Sequence, residues 1–244
     1  MQSALMVRDS LAKISKMNKL NKWLFETIEP FLGNRILDAG CGNGNITKYL
    51  KEKELVIAID NNEQIINDIK KNLAVSVNLK VINFDISDSQ MIPLLQKDNI
   101  DTILCINTLE HIKNDSCVIK NFYDILNPGG KLIILIPALK FLYSTLDEAA
   151  GHCRRYSKKE IVSKVRDGGF SVENVAYFNL FGTLGWFIQG KILKKRELSD
   201  SLLSIFENLV DIFIFLENSL HFPFGLSLLL IAHKDIGSIE RNTK

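Results

Sequence analysis

A chain of 244 residues is long enough to bury a sizeable core as one domain. Its 46% hydrophobic and 24% charged content is that of an ordinary soluble protein, and a net charge of +2 lacks the basic excess that nucleic-acid binding requires. Cys41, Cys105, Cys117 and Cys153 form no CxxC pair and no zinc spacing with a histidine, which argues against a metal site or a disulfide framework and fits a reducing cytoplasm.

Residues 1–33 read as a lead-in. The opening lacks the continuous apolar segment of a secretory signal, and a helix is expected around Trp23 and Phe25. Five apolar runs then alternate with helical patterns: 35–38, 55–60, 80–85, 101–107 and 131–137. Consecutive Ile, Val and Leu over such lengths predict strands buried on both faces of a parallel sheet. Asn61 with Gln64 resembles a helix cap, and Asn127-Pro-Gly-Gly130 stops a helix before the fifth run. Ser157-Lys-Lys-Glu160 opens a helix that Gly168-Gly169 closes, spanning about 158–167. Two further strands are expected at 171–178 and 226–233. Between them, about 179–222, lies an apolar helical insertion, and the tail after Lys234 is polar.

The chemistry gathers at strand ends. Ile36-Leu-Asp-Ala-Gly-Cys-Gly-Asn-Gly44 sets glycines at 40, 42 and 44 directly after the first strand. Glycine allows positive φ and close approach of a ligand to the backbone. A dinucleotide fingerprint would read G-x-G-x-x-G, and here Asn45 stands at its last position. Asp38 at the strand end would repel a pyrophosphate and attract a cationic group. Asp60 closes the second run and suits the two hydroxyls of a ribose. Asp85 suits the exocyclic amine of an adenine.

Taken in order, these segments resemble class I S-adenosylmethionine-dependent methyltransferases. The glycine loop is similar to their motif I, Ala-Ile-Asp60 to their ribose strand, and Asn83-Phe-Asp85 to their adenine-side motif. Asn107-Thr-Leu-Glu-His-Ile112 resembles the segment after their fourth strand, and Leu126-Asn-Pro-Gly-Gly-Lys131 the turn before the fifth. The resemblance is dense over roughly 20–137. It implies a Rossmann-like α/β fold: one domain, a seven-stranded, mostly parallel sheet with an antiparallel last strand, and helices on both faces. It implies S-adenosylmethionine as cofactor and S-adenosylhomocysteine as product. Asp38, Gly40, Cys41, Gly42, Gly44, Asp60, Asn61, Asp85, Ile86 and Asn107 are then the cofactor candidates.

The acceptor is less legible. His111 and His152 are candidate catalytic groups, imidazole being a common general acid or base. Tyr143, Arg154, Arg155 and Tyr156 are candidate acceptor contacts, the two arginines as a grip on a phosphate or carboxylate. Gly151-His-Cys-Arg-Arg-Tyr156 resembles a segment of a prokaryotic methyltransferase subset, some of it associated with cell-surface glycans. Transfer to an O or N atom of a small or lipid-linked polar acceptor is the leading reading. A nicotinamide-dependent oxidoreductase and a non-catalytic, methyltransferase-like subunit are the rivals. The insertion is expected to be buried on its own domain or on a second copy, with peripheral membrane contact as the alternative. Its acidic polar stripe speaks against lipid, and Lys191, Lys194, Lys195 and Arg196 speak for it.

Overall fold

The computed structural model describes residues 13, 16–73, 78–220 and 222–237, so the polar opening before residue 13 and the tail from residue 238 lie outside the described residues. The apolar runs become β1 (Arg35–Ala39), β2 (Leu55–Asp60), β3 (Leu79–Asn83), β4 (Thr102–Ile106), β5 (Lys131–Pro137), β6 (Ser171–Phe178) and β7 (Ser227–His233). They form one sheet in the order β3-β2-β1-β4-β5-β7-β6. The first five pair in parallel, and β7 runs antiparallel between β5 and β6. This is the expected seven-stranded arrangement.

Alternate strand residues feed two apolar layers, as a period of two dictates. Leu37, Ile57, Ile103 and Ile134 enter one cluster, and Ile36, Val56, Leu104 and Ile133 the other. The first cluster is covered by α3 (Met91–Leu95), α4 (Asp115–Ile125) and α6 (Lys158–Asp167), the second by α1 (Asn18–Ile28) and α8 (Asp200–Ser219). A smaller cluster lies under α2 (Glu63–Asn72). The strand order reverses between β1 and β4, and the crevice beyond the carboxyl ends of these strands is where open α/β sheets bind ligands.

Local chemistry explains two departures from expectation. The cap of α2 is Asn62, not Asn61: the Asn62 carboxamide oxygen accepts from the amides of Gln64 and Ile65 at 3.0 and 3.3 Å. β3 ends at Asn83, so Asp85 lies two residues beyond the strand and closes a turn on Ser87, whose amide and hydroxyl donate to it. The Ser157 hydroxyl caps α6 as expected, accepting from the Glu160 amide at 3.3 Å.

The insertion comprises α7 (Leu180–Trp186), a wide π turn over Phe187–Ile192, and α8. In α8 only Val210 is buried, while Ile205, Leu209, Ile212 and Phe215 are exposed. Three acidic residues are engaged by neighbouring segments, Glu207 and Glu217 half-buried and Asp211 at the surface. Glu207 accepts from the Lys19 amide, Asp211 pairs with the Lys19 ammonium, and Glu217 accepts from the amides of Asn179 and Leu180 at the start of α7. The helix packs on its own domain through Phe206, Val210 and Ile214, as expected, and leaves an outer apolar band uncovered within the single chain. Its charges are drawn to partners on α1 and α7, which turns a band of hydrocarbon toward solvent.

Candidate active site

The glycine loop closes over the ends of β1 and β2. The amides of Gly40 and Cys41 both donate to the Ile59 carbonyl, at 2.8 and 2.9 Å, and pull the turn against β2. Gly40, at φ 76°, has no room for a side chain because Thr108, beyond β4, occupies the place of a Cβ. The Gly42 amide donates to Asp60 Oδ2 at 3.1 Å and the Asn62 amide to Asp60 Oδ1 at 2.9 Å. Asp60 thus braces the loop and keeps further lone pairs for a diol. Asp38 is buried and accepts from the Thr47 hydroxyl at 2.6 Å. Burial pushes its carboxyl up to about 6, the Thr47 hydrogen bond opposes this, and the Asp60 charge adds to it. A buried, electron-rich carboxylate beside a second one is a receptor for a cation, so the residues fit the ammonium and ribose of S-adenosylmethionine. Gly44 and Cys41 are buried within the turn. Asn61, Asp85 and Asn107 are exposed around the crevice, Asn107 with φ 48°, and Ile86 is buried below it.

The acceptor end is made by two segments forty residues apart. After β4 the chain makes a short turn, Leu109–His111. After α5 (Thr145–Ala150) it enters the loop 151–156. Cys153 N donates to the Glu110 carbonyl at 2.8 Å, and the His111 ring nitrogen Nδ1 lies 3.2 Å from the Gly151 carbonyl. The rings of His111 and His152 then meet edge to face, 4.9 Å between centroids. His152 Nδ1 lies 2.9 Å from Asp147, and its Nε2 faces the buried Glu110 at 3.9 Å. His111 and His152, predicted separately, are thereby brought together.

Asp147 organises this end and was not singled out by sequence. It is fully buried and receives the Ser144 amide, His152 Nδ1, Arg155 Nε and the indole N–H of Trp186, at 2.7–3.0 Å. Burial alone would raise its carboxyl, but His152 and Arg155 hold it below the usual carboxylate range. The one signal available was the capping spacing from Ser144 to Asp147. Glu110, Thr47 and Thr108 were likewise missed, since a lone hydroxyl or carboxylate in a turn carries no distinctive pattern.

Two predicted acceptor contacts, Arg155 and Tyr156, are buried away from any acceptor, and a third, Arg154, is engaged within the chain. Arg155 is buried, bound to Asp147 and the Ala138 carbonyl, with its guanidinium 4.9 Å over the Trp186 ring. Tyr156 has no exposed surface, and its hydroxyl donates to Asp115 at 2.9 Å. Arg154 remains half-buried but is drawn to Asp115 and the Lys113 carbonyl at 2.9 and 2.8 Å. The two guanidiniums hold the loop to the domain, so they form no paired grip on an anion. Tyr143 donates to the His152 carbonyl at 2.8 Å and stays at the rim.

A doubly layered sheet with this strand order, and a glycine-carboxylate cradle at its switch point, defines a nucleoside-binding Rossmann-like enzyme. The chain belongs to the family described as methyltransferase domain, whose model matches residues 32–197, and it is an S-adenosylmethionine-dependent methyltransferase of class I. It is 38% identical over 103 residues to the ubiquinone biosynthesis O-methyltransferase of Coxiella burnetii, covering 41% of this chain. That match spans only 42% of the relative's own length. Among solved structures, an S-adenosylmethionine-dependent methyltransferase from Mesorhizobium loti shares the fold, with TM-score 0.61 and 14% identity over 88% of this chain and 98% of the other. Magnesium protoporphyrin IX methyltransferase from Synechocystis PCC 6803, solved with bound S-adenosylhomocysteine, has TM-score 0.54 and 16% identity, covering 96% and 85%. The oxidoreductase reading gives way to this family.

Proposed function

We propose that this enzyme methylates an O or N atom of a small polar group carried on a lipid or other apolar body. When bound, the cofactor supplies a methyl on a positively charged sulfur. The chain's part is alignment, which is worth roughly 7–11 kcal/mol in well-oriented systems. Asp38 would hold the ammonium and Asp60 the ribose. Between cradle and rim, His111 and His152 would line the place of the acceptor, with His152 oriented by Asp147.

The observation that carries the lipid half of this reading is the exposed band on the insertion. Ile205, Leu209, Ile212 and Phe215 lie outward on α8, and Leu184, Ile192 and Leu193 are exposed nearby. Lys191, Lys194, Lys195 and Arg196 are exposed beside them, which suits an anionic lipid surface. The insertion also reaches the site, through the Trp186 bond to Asp147. Among the described residues no helix is long and apolar enough to cross a membrane, so the contact would be peripheral. With both arginines engaged internally, an anionic acceptor group is not required.

The test is transfer of labelled methyl to fractionated cell extract. Label entering the organic-soluble fraction supports the reading. Label confined to water-soluble metabolites or protein overturns the lipid assignment and leaves methyl transfer standing.

A further inference from the structure

Glu110, His111 and His152 each bring a ligand-type atom within 4.8 Å of the other two. Glu110 is wholly buried, and neither carboxylate oxygen has a hydrogen-bond partner. The His152 Nε2 at 3.9 Å is too far to be one. A buried carboxylate without a partner is costly and is normally compensated by a cation.

The histidines are prepared for the same role. His152 Nδ1 faces the Asp147 carboxylate at 2.9 Å and His111 Nδ1 faces the Gly151 carbonyl at 3.2 Å. Both partners only accept, so each Nδ1 carries a proton, and Nε2 is the nitrogen that a neutral ring offers to a metal. An imidazole whose outer N–H is held by a carboxylate or backbone carbonyl is the usual second shell of a metal-bound histidine.

We propose that Glu110, His111 and His152 bind one divalent transition-metal ion of the zinc type. Imidazole donors favour such ions over magnesium or calcium, and three protein ligands leave a position open. Bonds of about 2.1 Å set tetrahedral ligand atoms roughly 3.4 Å apart, so the ligand atoms need to close by at most about 1.4 Å. The open position faces the acceptor end, where an acceptor hydroxyl would bind and ionise more readily. That last assignment rests on the methyl-transfer reading; ion binding does not. Cysteine spacing argues against a metal, but two histidines and a glutamate drawn from separate loops leave no such spacing.

The full chain, stripped with chelator, is titrated with Co²⁺ and then Zn²⁺. The expected result is one Co²⁺ per chain with a visible ligand-field band, displaced by Zn²⁺. Glu110→Gln and His111→Gln should each weaken Co²⁺ binding by about tenfold or more, and His233→Gln, remote from the site, should leave it unchanged. His111 is exposed, so His111→Gln remains decisive if Glu110→Gln fails to fold. No stoichiometric Co²⁺, unchanged affinity in His111→Gln, or loss in His233→Gln overturns the site. Calorimetry with S-adenosylhomocysteine runs in parallel. Its binding without Co²⁺ binding sinks the metal site alone, and Co²⁺ binding without it sinks the methyl-transfer reading alone.

Discussion

Asp38 concentrates the electrostatics of the cofactor cradle in one carboxyl group. Burial lifts it to about 6 from an ordinary 3.8, so in the ligand-free enzyme it takes up a proton as the pH falls below 6. A cationic ligand needs the ionised form. The dissociation constant for S-adenosylmethionine should therefore be flat above pH 7 and rise by up to about tenfold per unit below pH 6. Asp38→Asn should weaken binding at pH 7.5 and flatten that profile, which calorimetry at several pH values would read. A steep profile in the variant would remove Asp38 as its source. The same shift acts on folding with the opposite sense. The folded chain holds this proton more tightly than the unfolded chain, so the contribution is largest below pH 3.8 and is lost as pH rises to about 6. Asp60 braces the loop through the Gly42 and Asn62 amides as well as facing the ribose. Asp60→Ala should accordingly lower both cofactor affinity, by tenfold or more, and the unfolding midpoint.

At the scale of elements, the loop 151–156 is a structural keystone. Arg155 and Asp147 are both buried, their side chains 1% and 0% exposed. Removing the arginine leaves the buried Asp147 without the guanidinium that pairs with it. Arg155→Met should cost about 3–5 kcal/mol of stability by urea unfolding, with cofactor binding and turnover lost together. A selective loss of turnover at full stability would instead return Arg155 to the acceptor. Tyr156→Phe deletes one buried hydrogen bond to Asp115 and should cost about 1–2 kcal/mol. The glycine loop was visible in the sequence because positive φ and strand-end carboxylates leave a strong local pattern. The arginine pair misled for a related reason: Arg-Arg before a helix looks the same whether it faces solvent or is swallowed by Asp147 and Trp186 from other segments.

For the whole molecule, the proposed contact surface is the exposed band of the insertion. If its outer band docks on lipid, Ile212→Glu with Phe215→Glu should leave stability within about 1 kcal/mol, since both side chains are already exposed. The pair should also abolish co-sedimentation with anionic phospholipid vesicles. Unchanged sedimentation, or a wild-type dimer in solution that the pair dissolves, would assign the band to something other than lipid.

The positions of the strands and the glycine-carboxylate loop followed from sequence alone, because apolar runs, glycine turns and strand-end acids are short-range consequences of residue type, while the sheet's make-up and the cofactor followed from the family resemblance those motifs carry. Which way α8 turns its apolar face, whether Arg155 reaches out or in, and the meeting of Glu110, His111 and His152 were settled only by the folded chain. Those outcomes depend on partners such as Lys19, Asp147 and Trp186, which lie far away in sequence. Contacts between distant segments leave no local pattern, so only packing the helices on the sheet could fix them.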